Sequence, residues 1–207
     1  MSTKLWAAVV QSANGELGIC SADVKDAYLM VEQDEKVFAT TSEKVFVMTS
    51  DGTNYILGRC QPGQRVGSKS WYDLLALVLK RKGLEAYKAN PLLFYKPKID
   101  ENDKPLVVST HVDHLQIMGT EKDVEELLQH LRDQGWKLQV DGPCEPHVAG
   151  QCTFLKRKFL SDGEGGLWIK LNDKHITKLV EALNLDSNKG KAVPTTNNFQ
   201  KVWNSTC

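Results

Sequence analysis

Charge of one sign is what this sequence most clearly lacks. Lysine plus arginine and aspartate plus glutamate each number 26 over 207 residues. The chain therefore carries no global field to draw in DNA, RNA or an anionic membrane, and a nucleic-acid surface would have to concentrate its positive charge locally. Two short clusters, Lys80-Arg81-Lys82 and Lys156-Arg157-Lys158, would serve only if the fold merged them into one stripe; otherwise they are solvated faces. Long apolar runs are missing too. No stretch approaches the roughly 18 consecutive apolar residues of a membrane span. The opening MSTKLWAAVVQSANG has no extended apolar centre of the secretory kind. A soluble, intracellular chain with no membrane span is expected. Cysteine follows no framework: Cys20, Cys60, Cys144, Cys152 and Cys207 are odd in number and scattered, which argues against disulfide stapling and fits a reducing compartment. Cys144, His147 and Cys152 in PCEPHVAGQC offer three soft ligands, but a structural zinc site takes four and no fourth is adjacent. That segment reads as a plain loop. Internal repeats are absent as well.

What is present suffices for a core, since 41% of the residues are hydrophobic. Leu17 to Ala22 is a strand-length apolar run that delivers Asp23 to a sheet edge. EKVFVMTSDGTNYILGR reads as a hairpin about Asp51-Gly52, a pair suited to positive φ. After a loop-like Gly58 to Gly67, the helical spacing of Trp71, Leu74, Leu75, Val78 and Leu79 predicts a helix with one buried face, closed by KRKG. PLVVSTHVDHLQIMG is a second hairpin. Val124, Leu127, Leu128 and Leu131 place a second helix over about Glu121 to Gln134, stopped by Gly135. CTFLKRKFLSDGEGGLWIKL makes a third hairpin around a glycine-rich turn, HITKLVEALNL a short amphipathic helix, and the tail from Asn188 turns polar. Antiparallel hairpins with helices between them predict an α+β fold, its helices packed on one face of the sheet.

The chemistry-bearing residues crowd one bend. THVDHLQIMG places His111, Asp113 and His114 where one strand turns into the next. Metal-assisted nucleotidyl transfer needs carboxylates held together, because two divalent cations about 3.5 to 4 Å apart must clamp the attacking and leaving oxygens. One aspartate at a strand end and more in a neighbouring hairpin turn would build such a site, and Asp23 with the 111–114 turn has that layout. A transition-metal site on His111, Asp113 and His114 is the alternative. Adjacent residues of a regular strand point to opposite faces, so only a sharp turn could make these converge.

Several ordered motifs resemble the reverse transcriptases, specifically the copia-type retrotransposon branch. SADVKDAYLMVEQ resembles the first catalytic segment, which implies a metal ligand at Asp23 and an aromatic under the incoming sugar at Tyr28. QPGQRVGSKSWYDLL resembles the template-contacting segment, with Gly63 and Arg65 on matching positions. LEAYKANPLLFYK resembles the connecting segment. VVSTHVDHLQIMGT stands in the place of the hallmark Tyr-x-Asp-Asp hairpin, and FLKRKF onward resembles the strands and thumb-like helix beyond it. The resemblance runs from about Leu17 to Thr196. It implies a palm domain over 17–160, with an N-terminal segment over 1–16, a hairpin and thumb-like helix over 161–187 and a polar tail over 188–207. Stacking on bases by Tyr28, Trp71 and Tyr72 is possible in such a fold, although aromatics at element starts more often finish a core.

The departures set the functional expectation. In the hallmark turn His111 replaces the aromatic and His114 the second carboxylate, so Asp113 is the single aspartate. Imidazole is a poor partner for Mg²⁺, and a neutral ring does not offset two cations and a triphosphate. Lys156 stands where the family has a glycine that lets backbone approach the primer strand, and Pro62 where many members have Gln. Only some sixteen residues precede the Leu17 strand, where the family places its fingers, so the palm is expected to lack them. The preferred expectation is a non-catalytic, reverse-transcriptase-derived palm acting as a structural or interaction subunit of a larger assembly. It would bind protein partners, bind nucleic acid weakly or not at all, and need no cofactor. The alternatives are an RNA-directed DNA polymerase fragment using Mg²⁺ or Mn²⁺, and a metal-binding hydrolase at the vestigial turn. The apolar segment KLWAAVV at 4–10 is expected to cover apolar surface or add to a partner's sheet.

Overall fold

The computed structural model describes residues 16–32, 46–48, 50–56, 58–60, 62, 66–100, 102–170 and 173–183. KLWAAVV lies outside them, as do Gly63 and Arg65. The chain divides after Lys170 into two units. In the first, β1 (Gly18–Val24), β4 (Glu85–Tyr87), β5 (Asn90–Tyr95), β6 (Val107–His111), β7 (His114–Gly119) and β8 (Leu138–Cys144) form one antiparallel sheet in the order β4-β5-β6-β7-β1-β8. The hairpin expected about Asp51-Gly52 is present as β2 (Phe46–Met48) and β3 (Asn54–Ile56). Helices α1 (Gly67–Arg81) and α2 (Glu121–Asp133) both pack on one face of the six-stranded sheet, which gives the mixed α and β architecture expected.

Two apolar layers result from strand alternation. On the helix side Cys20, Ala22 and Val24 of β1 meet Val108, Leu115 and Ile117, and above them Trp71, Leu75, Val78 and Leu79 of α1 and Leu127, Leu128 and Leu131 of α2. Of the five positions read as the buried stripe of α1, Leu74 is only half-buried. On the opposite side Ile19 and Met118 meet Cys152, Phe154 and Phe159 from a second sheet of β9 (Gly150–Phe154), β10 (Arg157–Ser161) and β11 (Leu167–Lys170). β1 is thus buried on both faces, and its apolar side chains finish one layer or the other.

The helix ends follow local chemistry. Thr120 caps α2, its hydroxyl accepting from the Asp123 amide at 3.2 Å and donating to the Asp123 carboxylate at 2.8 Å. Glu121 and Asp123 sit in its first turn and His130 and Arg132 in its last, matching the helix dipole. Lys80 and Arg81 close α1 in the same way. In the second unit α3 (Asp173–Ala182) overlaps the amphipathic stretch 175–185 expected to be helical and begins two residues before it. No helix among the described residues is long and apolar enough to cross a membrane.

The structure adds strands that the sequence reading passed over. The LEAYKANPLLFYK segment is the β4–β5 pair and 138–144 is an edge strand. The third hairpin is two hairpins, because β9 turns into β10 over Leu155-Lys156 before β10 turns into β11. Leu155 and Lys156 have φ of 48° and 63°, a type I′ turn suited to Asn-Gly. Lys156, where the resembled family has glycine, thus occupies a conformation that costs a side-chain-bearing residue about 1–2 kcal/mol. Replacing Leu155-Lys156 by Asn-Gly is expected to raise the unfolding free energy in urea by about 1 kcal/mol after the extra chain entropy of glycine is subtracted. A fall in the urea midpoint would mean that the native turn residues contribute contacts outweighing their strain.

Candidate functional site

Asp23, His111, Asp113 and His114 lie at the β6–β7 turn and the adjoining end of β1. Register sets His111 opposite His114, His114 opposite Asp23 and Asp23 opposite Gln139. These four therefore form a single cross-strand row. Because Ala22, Val24 and Leu115 enter the helix-side layer, alternation aims the row to the other side, toward β9. The His114 ring stands edge-on to Phe154, centroids 5.0 Å apart at 71°. Asp23 lies inside β1 rather than beyond its end. Its carboxylate accepts from the Lys25 ammonium at 3.0 Å, with the two side chains 34% and 49% exposed. Solvent screening limits such a pair to no more than about 1 kcal/mol.

Asp113 is not part of the row. It is the second corner of a two-residue turn whose first corner, Val112, has φ 57°. Positive φ at that corner alone matches type II′, where glycine is favoured. A β-branched residue there is an outlier costing on the order of 1–3 kcal/mol. Two hydrogen bonds hold it. The indole N–H of buried Trp71 donates to the Val112 carbonyl at 2.7 Å, and the Val24 amide donates to the Asp113 carbonyl at 2.9 Å. The turn is sharp, but it pairs His111 with His114 and leaves Asp113 at the corner. Among the described residues no three His, Cys, Asp or Glu side chains gather as a metal-holding group.

Tyr28 lies in a short 3₁₀ turn (Ala27–Met30), half-buried, its hydroxyl 3.0 Å from the Ser68 hydroxyl at the start of α1. Trp71 and Tyr72 do core work. Trp71 packs on Trp136 at 5.0 Å and Tyr72 on Phe94 at 6.3 Å, with the Tyr72 hydroxyl donating to the Pro91 carbonyl at 2.9 Å. The basic clusters do not merge. Residues 80–82 end a helix on one face of the large sheet, with Lys82 paired to Glu126 at 3.1 Å, while 156–158 lie in the small sheet on the other face. A cleft of about 190 Å³ between α2 and the ends of β1, β7 and β8, lined by Cys20, Glu125, Leu128 and Arg132, touches none of the expected site residues.

Sequence reasoning missed Lys25 and the anchoring role of Trp71. The first had a signal: a residue two beyond Asp23 lies on the same side of an extended chain. The second had none, since a contact between residues 41 apart is set by packing alone.

No protein-family model matches the chain, and no curated protein matches it. Among solved structures it is similar to apo telomerase from Candida tropicalis truncated from its C-terminal domain, with a TM-score of 0.42 and 11% identity over 83% of this chain. This chain spans 40% of that telomerase chain. By its own architecture it is a mixed α and β protein built on a mostly antiparallel sheet.

Trp71→Phe is expected to lower stability by about 2 kcal/mol, combining a lost hydrogen bond with a small cavity. It should also speed amide exchange at residues 112–114. Unchanged exchange there would show that the turn is held by other contacts.

Proposed function

We propose that this chain is a reverse-transcriptase-type palm of the copia branch that no longer performs nucleotidyl transfer and serves as a structural or interaction subunit of a larger assembly. The observation that carries the reading is the row at the hairpin. The residue directly across from Asp23 is His114, at the position where the resembled motif has its second aspartate. The Asp23 carboxylate itself is engaged by Lys25. A pair of Mg²⁺ ions needs hard oxygen donors and compensating negative charge. Here one carboxylate faces an imidazole and an ammonium, and the other sits at a turn corner. Those donors do not fit the two-metal chemistry.

In this reading the six-stranded sheet with α1 and α2 is the palm, and α3 belongs to a thumb-like remnant. Tyr28 keeps a place the family uses at the nucleotide but spends its hydroxyl on Ser68. Gly63 and Arg65 keep their template-contacting positions by resemblance only. The separation of the two basic clusters supports weak, phosphate-driven contact with nucleic acid at most. What the hairpin offers once its chemistry is subtracted is rigidity, because Trp71 and Val24 fix both turn carbonyls. A rigid sheet with no working site suits a part held within an assembly.

Primer extension on a homopolymer template with Mg²⁺ or Mn²⁺ is expected to give no incorporation that depends on Asp23, either by the natural chain or by His114→Asp. Titration with Mg²⁺ is likewise expected to leave the thermal unfolding midpoint unmoved, since a ion bound only by the native state would raise it. Extension by the natural chain, abolished in Asp23→Asn, would establish a working polymerase. Extension by His114→Asp alone would identify the missing carboxylate as the only lesion.

A further inference from the structure

On the helix side of the large sheet, separate parts of the chain wall a groove of about 340 Å³. Its bottom is apolar: Val78 of α1 and Trp136 beyond α2 are buried, and Leu74 of α1 is half-buried. Its border is open to solvent. Leu29 of the 3₁₀ turn, Arg59 after β3 and Arg81 in the last turn of α1 are all exposed. Leu77, 46% exposed, stands one turn from both Leu74 and Arg81 and carries the apolar strip beyond the groove. The two cations are poorly offset. Arg59 donates to the Met30 carbonyl at 3.2 Å and lies 3.7 Å from the Glu32 carboxylate, whose side chain is 83% exposed, so a neutral acceptor positions it and a solvated one offsets it weakly. Arg81 has no ion pair among the described residues. No lysine and no carboxylate lines the groove. Tryptophan, methionine and arginine without lysine or acid is the composition that sets the core of a protein interface apart from ordinary surface.

We propose that this groove is a docking site for an acidic amphipathic segment of a partner protein, which seats an apolar side chain against Leu29 and Leu74, above Trp136, and sets carboxylates on Arg59 and Arg81. It rests on the reading of the chain as an interaction subunit and gives that subunit the chemistry of its partner. The volume lies at the small end of ligand clefts, roughly 300–1,000 Å³, which suits one or two large side chains of a longer segment. Charge fixes the sign of that segment. Two guanidiniums border an apolar bottom, and each can hold a carboxylate through paired N–H donors. A helix with apolar residues at i and i+3 or i+4, and acidic residues alongside, meets both requirements. A nucleic-acid strand is the poorer match, because two arginines give few phosphate contacts and Trp136, the aromatic residue of the lining, is 5% exposed and too buried to stack on a base.

The test titrates the full natural chain, isotopically labelled for amide NMR, with a synthetic peptide capped at both ends: Glu-Leu-Leu-Glu-Glu-Phe-Leu-Glu-Glu-Leu-Leu-Glu. The expected result is a saturable set of amide shifts centred on residues 29–30, 59, 74–81 and 134–136, absent when lysine replaces every glutamate of the peptide. Arg59→Glu and Arg81→Glu are each expected to weaken binding about tenfold or more, and the variant carrying both to bind the lysine peptide instead. Leu29→Gln should also weaken it. All three positions are exposed, so these variants should fold. Shifts centred elsewhere, equal binding of the lysine peptide, no binding at millimolar peptide, stronger shifts of the groove by an oligothymidylate, or self-association through the same amides would each overturn the proposal. Primer extension by the natural chain would overturn the subunit reading and leave these titrations as they stand, so the two failures are distinct. The readout on the natural chain decides the matter even if a variant fails to fold.

Discussion

The structure depends on one strand being buried from both sides. β1 is hydrogen-bonded to β7 and β8 and is covered by two helices above and a three-stranded sheet below. Ile19 fills the lower layer and Cys20, Ala22 and Val24 the upper. A slip of one residue would exchange every one of these side chains between layers. The register that satisfies the packing is therefore also the register that sets Asp23 beside His114. Ser21 reinforces it, its hydroxyl donating to the Thr153 carbonyl at 2.6 Å, while the Asp141 carboxylate accepts from the Thr153 amide at 2.7 Å. Position at the candidate site is thus a by-product of core formation.

The hairpin tip shows how strain is stored in such a frame. Val112 holds a conformation a β-branched residue avoids, and the cost is met by a tryptophan from α1 and an amide from β1. Both donors belong to elements fixed by the main core, so the tip has little freedom to relax. In the Leu155-Lys156 turn the strain is similar but the surroundings differ. Leu155 is 40% exposed, and the turn stands at the tip of a small sheet. One turn is clamped by the interior, and the other is free to accept better turn residues.

Electrostatics act locally throughout. With no net charge, the molecule distributes its ions as short-range pairs: Lys25 with Asp23, Lys82 with Glu126, Lys96 with Asp123, Arg132 with Glu125. Asp123 illustrates the balance. Burial alone would raise its carboxyl, but the Lys96 ammonium and the Thr120 hydroxyl more than reverse that and hold it below the usual carboxylate value. Gln116, buried between Ser109 and Ser21 by register, has an amide nitrogen without a partner among the described residues. Among the described residues it is the strand position where side-chain polarity and packing disagree.

What the sequence determined by itself was the set of strongly periodic elements. Trp71 to Leu79 and Val124 to Leu131 carry the 3.6-residue stripe, and the alternation around residues 107–119 carries the hairpin, so the helix and strand assignments followed directly. The tight clustering of His111, Asp113 and His114 was legible for the same reason, being local. Strands β4 and β8 were not legible, because they lie at sheet edges with mostly exposed side chains and carry little alternation. The partition of the bend was not legible either: whether Asp113 or His114 would share a face with Asp23 depended on a two-residue turn held by Trp71, a residue 41 positions away. Nor could the scattered cysteines announce that Cys20 and Cys152 both approach Gly142, since β1, β8 and β9 come together only when two sheets stack. Periodicity is written in neighbours along the chain. Register, strain and clustering are decided by neighbours across it, and those exist only once the core has closed.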